Sequence, residues 1–395
     1  MMIQAVLGNP HHPEYGVATI PFPIPRDQYA HCMELLEALE IGDAVKADCK
    51  VEKIDSFYTV LKRVEMLTVN VEELNYLAKR LDSFDTGEAA QFQAMAHKLE
   101  LFELKDLINL TFCCQQATVI TDFSDLAAVG RSHYMNLHGG SASADELNAL
   151  GGEETARQLI ESGSGTITPY GVVYDNGMRL EQIYDGRFFP CYYYEPNAIT
   201  VAVTSKAELE DTEHITWLFL PMVQEELDRA LLRGGITDAA DVRLRLEDSQ
   251  LPNEVDVLLD MEYETLSDLN ELAAATDGLS NADMEKLGAV VTLAEPKSAT
   301  QIKNLVESLD LFDFAPGAHT PQEYGKYMIQ QSGRFEYDEN LDAFYDYEKY
   351  GTERMNAEDG MFTDRGYVAY KGFFRMEEVM NGSQSSHMEM GGLSR

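Results

Sequence analysis

Residues 71–81 read VEELNYLAKRL and residues 266–276 read LSDLNELAAAT. Leu74, Asn75, Leu77 and Ala78 thus recur as Leu269, Asn270, Leu272 and Ala273, an offset of 195 residues. In both stretches the leucines fall at helical spacing. The same offset holds outward in both directions. Upstream, Leu36 recurs as Leu231, and Ile41, Asp43 and Ala44 recur as Ile236, Asp238 and Ala239. Downstream, Ala94 recurs as Ala289, Asn109-Leu110 as Asn304-Leu305, and Gly130 as Gly325. Gly165, Thr168, Gly171, Val173 and Gly177 recur as Gly360, Thr363, Gly366, Val368 and Gly372. Nearer the N-terminus the offset drifts to 198, where Phe22-Pro23 meets Leu220-Pro221. A period this long reads as a tandem duplication of a whole domain set rather than a solenoid repeat.

Each copy then shows the same plan. A strand comes first (3–7 or 199–203), then a second ending at proline (17–22 or 215–220). An amphipathic helix follows (26–39 or 223–232), and a third strand (44–51 or 242–246). Two or three helices fill the middle, including 71–81 and 87–99 in copy 1. A glycine-punctuated hairpin closes each copy, at 165–174 and 360–370. The expected fold class is α+β, an elongated chain of small α+β domains in two tandem copies with an acidic surface. Copy 1 divides into an N-terminal α+β domain (1–68) and a helical and C-terminal α+β part (69–180). A linker (181–197) precedes the matching parts of copy 2 (198–262 and 263–380), and a polar, disordered tail is expected over 381–395.

The charge is extreme. Among 395 residues, 68 are Asp or Glu and 30 are Lys or Arg, a formal net charge of −38. Solubility asks for a magnitude of only about 2–8 in a small domain. Direct binding to DNA, RNA or an anionic membrane is excluded as a role, because phosphate binding needs clustered Lys and Arg. A basic partner, or a cation, is the natural counterpart. Residues 1–200 carry 29 acids and 14 bases, whereas residues 201–395 carry 39 and 16. From Leu246 to Glu285 there is no Lys, Arg or His, but there are twelve acids. These are Glu247, Asp248, Glu254, Asp256, Asp260, Glu262, Glu264, Asp268, Glu271, Asp277, Asp283 and Glu285. They interleave with apolar residues, which places them on folded elements. Residues 260–264 alternate acid and apolar, as a strand with one carboxylate face would.

The stretch FEYDENLDAFYDYEKYGTERM (335–355) places Asp338, Asp342 and Asp346 at i, i+4 and i+8. On one helix they share a face, about 6 Å apart per step. Successive alternate phosphates on a DNA strand advance by about 6.8 Å. Phe344, Tyr347 and Gly351 fall on another face, with Tyr345 and Tyr350 beside them. Glu339, Glu348, Glu353, Glu358 and Asp359 extend the acidic set around this stretch.

Catalytic and cofactor patterns are not found. There is no GxGxxG after a strand, Walker A loop, HExxH, GxSxG or EF-hand spacing. His11-His12 read as a surface loop, Cys113-Cys114 as a buried structural pair, and Trp217 as core. His133 and His138 are not shared by the copies, since Met328 and Gly333 stand at those places. The five cysteines do not form a disulfide framework, no apolar run reaches membrane-spanning length, and no secretory signal is read. The expectation is a cytoplasmic protein with no enzymatic activity, no cofactor and no metal.

The motif Phe344-Tyr345-Asp346-Tyr347-x-x-Tyr350-Gly351, followed by Gly360-x-Phe362-x-x-x-Gly366-Tyr367-Val368, resembles the C-terminal signature of ArdA-type antirestriction proteins. The Leu-Asn-x-Leu-Ala helix at 269–273 is similar to the middle domain of that family. The resemblance implies a DNA mimic of conjugative elements and plasmids that blocks type I restriction–modification enzymes in their DNA groove, without catalysis. It also implies a chain of small α+β domains, a two-fold dimer, and a role for the aromatic-acidic motif in inhibition and dimer contact. This sequence departs from the family in having two copies. Copy 1 reads ALGGEETA at 149–156 where copy 2 has the motif. Two states are open, a homodimer, or an intramolecular pseudo-dimer in which copy 1 is the attached partner. Two other functions compete. One is an acidic interaction module of a conjugative element that binds a basic DNA-handling protein, and the other is a metal-dependent hydrolase.

Overall fold

The computed structural model describes residues 3–206, 214–334 and 336–382. Phe335 and residues 383–395, most of the expected tail, lie outside the described residues. The chain forms two compact units. Unit 1 takes in the described residues up to Glu195 together with Val223–Thr237, and unit 2 takes in Trp217–Met222 and the described residues from Asp238 onward. The strand near residues 199–205 also belongs to unit 2.

In unit 1 the elements run β1 (Ile3–Gly8), β2 (Val17–Phe22), α1 (Tyr29–Glu37), β3 (Cys49–Asp55), β4 (Thr68–Val69), α2 (Val71–Asp82) and α3 (Thr86–Lys98). They continue with α4 (Leu104–Leu110), β5 (Thr118–Ile120), α5 (Leu126–Leu137), α6 (Ala144–Ala149), α7 (Gly152–Glu161), β6 (Thr166–Thr168) and β7 (Gly171–Tyr174). An antiparallel sheet of order β2-β1-β3-β4 pairs Ile3 with Phe22 and Gln4 with Asp55. Alternate residues of β1 and β2 (Ile3, Ala5, Leu7; Ala18, Ile20, Phe22) are buried, as a sheet with one covered face requires. Helix α2 covers it with Leu74, Leu77 and Leu81. The Asn70 side chain starts that helix by accepting the amides of Glu72 and Glu73, both at 3.1 Å.

The third strand begins at Cys49, not at Ala44. The Asp43 carboxylate accepts the amides of Val45 and Lys46, and the Asp48 carboxylate accepts those of Gly42 and Asp43. These local bonds make a turn of residues whose alternation reads as strand. The helix expected over 26–39 opens with a single 3₁₀ turn (Arg26–Gln28) before α1.

The second half of the chain supplies β8 (Ile199–Ser205), β9 (Thr216–Leu220), α8 (Gln224–Arg233), β10 (Val242–Ser249), α9 (Asn253–Leu258), α10 (Leu266–Thr276) and α11 (Asn281–Ala294). Then come α12 (Ala299–Val306), β11 (Phe312–Pro316), α13 (Pro321–Gln330), α14 (Tyr347–Ala357), β12 (Asp359–Thr363), β13 (Gly366–Tyr370) and α15 (Met376–Met380). Three further sheets of three strands, β10-β8-β9, β5-β7-β6 and β11-β13-β12, make this a mixed helix-and-sheet chain of small separate sheets.

The 195-residue offset is visible in the registers. Thr118, Val119 and Ile120 face Tyr174, Val173 and Val172, while Asp313, Phe314 and Ala315 face Ala369, Val368 and Tyr367. In each hairpin a threonine hydroxyl, of Thr168 or Thr363, donates to the carbonyl of Gly171 or Gly366 at 2.8 Å. Both glycines have positive φ, and a Cβ at Gly366 would lie 2.2 Å from the Ala315 carbonyl oxygen. The repeated asparagines are clamps. Asn75 accepts the Ile24 amide at 2.9 Å, and Asn270 accepts the Met222 amide at 2.8 Å. Asn109 bonds the backbone of Tyr184 through both of its side-chain atoms, and Asn304 donates to the Met380 carbonyl. Asn75 and Asn109 are buried, and a buried amide that ties a loop to a helix must keep its partner or leave a polar group unsatisfied, so those two positions tolerate little change.

Candidate functional site

The aromatic-acidic motif lies on α14 and the loop before it. Helices α13 and α14 cross where Gly325 meets Gly351. A Cβ at Gly351 would lie 1.8 Å from the Pro321 carbonyl oxygen, and one at Gly325 would lie 2.0 Å from that of Tyr347. The motif's glycine is therefore a close-approach residue. In the first half α5 and α7 make a similar crossing, where a Cβ at Gly130 would lie 1.8 Å from the Gly152 carbonyl oxygen.

Above this crossing Asp342 gathers three donors on one oxygen. The hydroxyls of Tyr347 and Tyr337 donate at 2.5 and 2.8 Å, and Gln330 Nε2 donates at 2.8 Å. The bonds from Tyr347 and Tyr337 hold the Asp342 carboxyl below the usual carboxylate range. The rings of Tyr337, Tyr345 and Tyr347 follow one another at 5.9 and 5.8 Å. Tyr350 packs partly buried against the small core of Tyr324, Met328 and Tyr367. Phe344, by contrast, is 83% exposed.

Asp338, Asp342 and Asp346 do not share a helix face. Asp338 caps a 3₁₀ helix over Glu339–Phe344, accepting the Asn340 amide at 2.9 Å. Asp346 caps α14, accepting the Lys349 amide at 3.0 Å. Aspartate is favoured at helix starts and resisted at i,i+4 repeats of like charge, so the spacing marks two helix starts instead of one charged helix.

Residues 260–264 are likewise not a strand. They form the turn between α9 and α10, closed by the Asp260 carboxylate accepting the Glu262 amide at 3.1 Å. Glu264 turns inward and accepts the Ala299 amide at the start of α12, at 3.0 and 3.1 Å. Burial raises its carboxyl.

Several other acids of the set also have internal partners. Glu254 takes both Nε and Nη2 of Arg365, at 2.7 and 2.8 Å, and this fork holds its carboxyl low. Arg365 lies against Gly288 of α11, where a Cβ would sit 2.2 Å from its Nε. Glu358 pairs with Arg354 and accepts the Tyr324 hydroxyl at 2.6 Å. Asp268 accepts the hydroxyls of Thr265 and Thr300. Glu247 pairs with Arg245, and Asp248 accepts the Ser249 amide at 3.0 Å. Burial raises the Asp256 carboxyl. Glu262, Glu339, Glu348, Glu353 and Asp359 are exposed and form no ion pair among the described residues. The set thus divides into carboxylates that build the scaffold and carboxylates that the scaffold presents. The sequence points to neither Gln330 nor Arg365, since their partners lie 12 and 111 residues away.

Away from this region, Cys113 and Cys114 are buried and no disulfide forms among the five cysteines. Trp217 is half-buried, not deep core. His133 bonds the Thr118 hydroxyl at 2.9 Å, and His12 lies 3.0 Å from Glu14. Among the described residues no cluster of His, Cys, Asp and Glu is placed to hold a metal, and no helix is long and apolar enough to cross a membrane.

These features define a scaffold of small α+β modules that presents carboxylates around a packed aromatic centre. Residues 212–369, the C-terminal part of the chain, match the family model described as antirestriction protein (ArdA), a family of non-enzymatic proteins. No curated protein matches the chain.

Proposed function

We propose that the chain is a tandem-duplicated antirestriction protein that mimics DNA. It occupies the basic DNA groove of type I restriction–modification enzymes in the cytoplasm and blocks them without catalysis. The observation that carries this reading is a coincidence of place. The ArdA match over 212–369 falls on the half of the chain with 39 acids against 16 bases, and within it lie exposed carboxylates that form no ion pair among the described residues, Glu262, Glu339, Glu348, Glu353 and Asp359 among them. A groove built to bind phosphates recognises charge density and spacing rather than base edges, so a rigid array of carboxylates competes for it. Such binding weakens with salt, because it rests on charge pairs near the surface.

The test is displacement of labelled unmodified DNA from a purified type I enzyme by the full-length chain. Displacement at near-equimolar protein, lost as salt is raised, supports the reading. Retention of the DNA at large excess contradicts it, and capture of a different basic DNA-handling protein would then identify the partner.

A further inference from the structure

Helix α8 belongs by sequence to the second half of the chain, yet it is built into unit 1. It packs against α1, the helix at the same place in the first half. Two arginines one turn apart carry the contact. Arg229 Nε donates to Glu72 at 2.5 Å, and the same carboxylate oxygen accepts the Tyr29 hydroxyl at 3.0 Å. Arg233 goes deeper and is only 4% exposed. Its Nη1 donates to the Ala44 carbonyl at 2.9 Å and to the Asn70 side-chain oxygen at 3.0 Å. Its Nε donates to the Arg187 carbonyl at 2.8 Å, and Nη2 donates to the Tyr184 hydroxyl. The Glu73 carboxylate lies 3.6 Å away, and the guanidinium stacks 4.3 Å over the Phe189 ring. A planar group with five fixed donors fills this socket, and an ammonium cannot.

The contact has a direction. At the places 195 residues before Arg229 and Arg233 stand Glu34 and Ala38. At the places 195 residues after Glu72 and Glu73 stand Ser267 and Asp268, and Asp268 is engaged with Thr265 and Thr300. The cation pair therefore exists only on α8, and the acid pair that receives it only on α2. A contact between two like copies is normally self-complementary, each side offering the same groups. Here the two sides have been made different.

We propose that the first half is the seat of the second half's first helix. Its surface of α1, α2 and residues 184–189 is a docking site for an amphipathic helix with arginines at i and i+4, and the chain supplies that helix itself. This gives the half that lacks the aromatic motif a positioning role. It does not depend on the antirestriction reading, since no restriction enzyme enters its test.

The test is amide hydrogen exchange in the full-length chain, read on peptides covering α8, α2 and, as a control, α14. In the unaltered chain the slowest α8 amides exchange at the rate of those in α2. Arg233→Met keeps the apolar stem and removes the donors, and it accelerates α8 exchange by roughly a hundredfold while α14 changes by less than about threefold. Fast α8 exchange in the unaltered chain, or no acceleration in Arg233→Met, overturns the proposal. If Arg233→Met unfolds unit 1 altogether, the charge-reversed pair decides. Arg229→Glu and Glu72→Arg each accelerate α8 exchange alone, and the double variant returns to within about threefold of the unaltered chain. A double variant no slower than either single one overturns the proposal.

Discussion

Gly351→Ala is the smallest change that strikes the scaffold under the aromatic motif. The added methyl would stand 1.8 Å from the Pro321 carbonyl oxygen and 3.0 Å from the Gly325 amide nitrogen. Ordinary contact begins near 3.4 Å, so α13 and α14 must part by roughly 1.5 Å. The obstacle is helix backbone and cannot change rotamer to make room. Overpacking of this kind costs about 1–3 kcal/mol, and the upper end applies here. The better helix propensity of alanine returns about 1 kcal/mol. The net loss is about 2 kcal/mol, which accelerates exchange of the α13 and α14 amides by roughly thirtyfold. Parting the helices also carries Tyr347 away from Asp342, so the proposed inhibition is expected to fall with it. The assay is amide exchange on the full chain, with α2 as internal reference and Thr352→Ala, an exposed change on the same helix, as control. Exchange in Gly351→Ala within about twofold of the unaltered chain would refute the close-approach reasoning.

Other outcomes follow from the same geometry. Asp346→Ala removes the cap of α14 and costs about 1 kcal/mol, while Asp346→Asn keeps the cap and costs only a few tenths, as local exchange at 347–350 will show. Glu254→Gln loses the charged fork to Arg365 and destabilises unit 2 by roughly 1–3 kcal/mol at neutral pH. Because the folded carboxyl of Glu254 is held low, its contribution is present above the ordinary glutamate range and lost as pH falls through the depressed value. Urea titrations should therefore separate variant and unaltered chain at about pH 7 and bring them together as the pH falls through the depressed value. Neutralising Glu348 or Glu353 alone changes inhibition by less than about threefold, since no single carboxylate dominates a charge array. Neutralising Glu262, Glu339, Glu348, Glu353 and Asp359 together removes most of it. A tenfold loss from one of them in a cleavage assay would contradict the array.

The repeat was legible because it rests on residues whose chemistry is local. Asn75 and Asn270 recur since each ties a strand end to a helix, and Gly171 and Gly366 recur since each turn needs positive φ against a neighbouring carbonyl. The elements around the repeat fell close to their expected bounds wherever apolar spacing governed them, as in α2 and β2. Expectation failed where a short polar side chain competed for the backbone. Asp43 and Asp48 made a turn of an expected strand, Asp260 did the same at 260–264, and Asp338 and Asp346 divided an expected helix into two. Charge counting could not tell the carboxylates that build from those that face outward. Glu254 and Glu264 look like surface acids in the sequence, and only the fold brings them to Arg365 and the Ala299 amide. Arg233 was invisible for the same reason, because its acceptors come from three separate stretches of chain, at Ala44, at Asn70 and at residues 184–187.

On the proposed function, the acidic scaffold competes with DNA for a groove that does not read sequence. The direct measurement is cleavage of unmodified DNA by two purified type I enzymes of different sequence specificity, with the full-length chain titrated in at low salt. Inhibition of both near one equivalent, relieved by excess DNA or by raised salt, is the predicted result. Undiminished cleavage by both enzymes at large excess of the protein would contradict it.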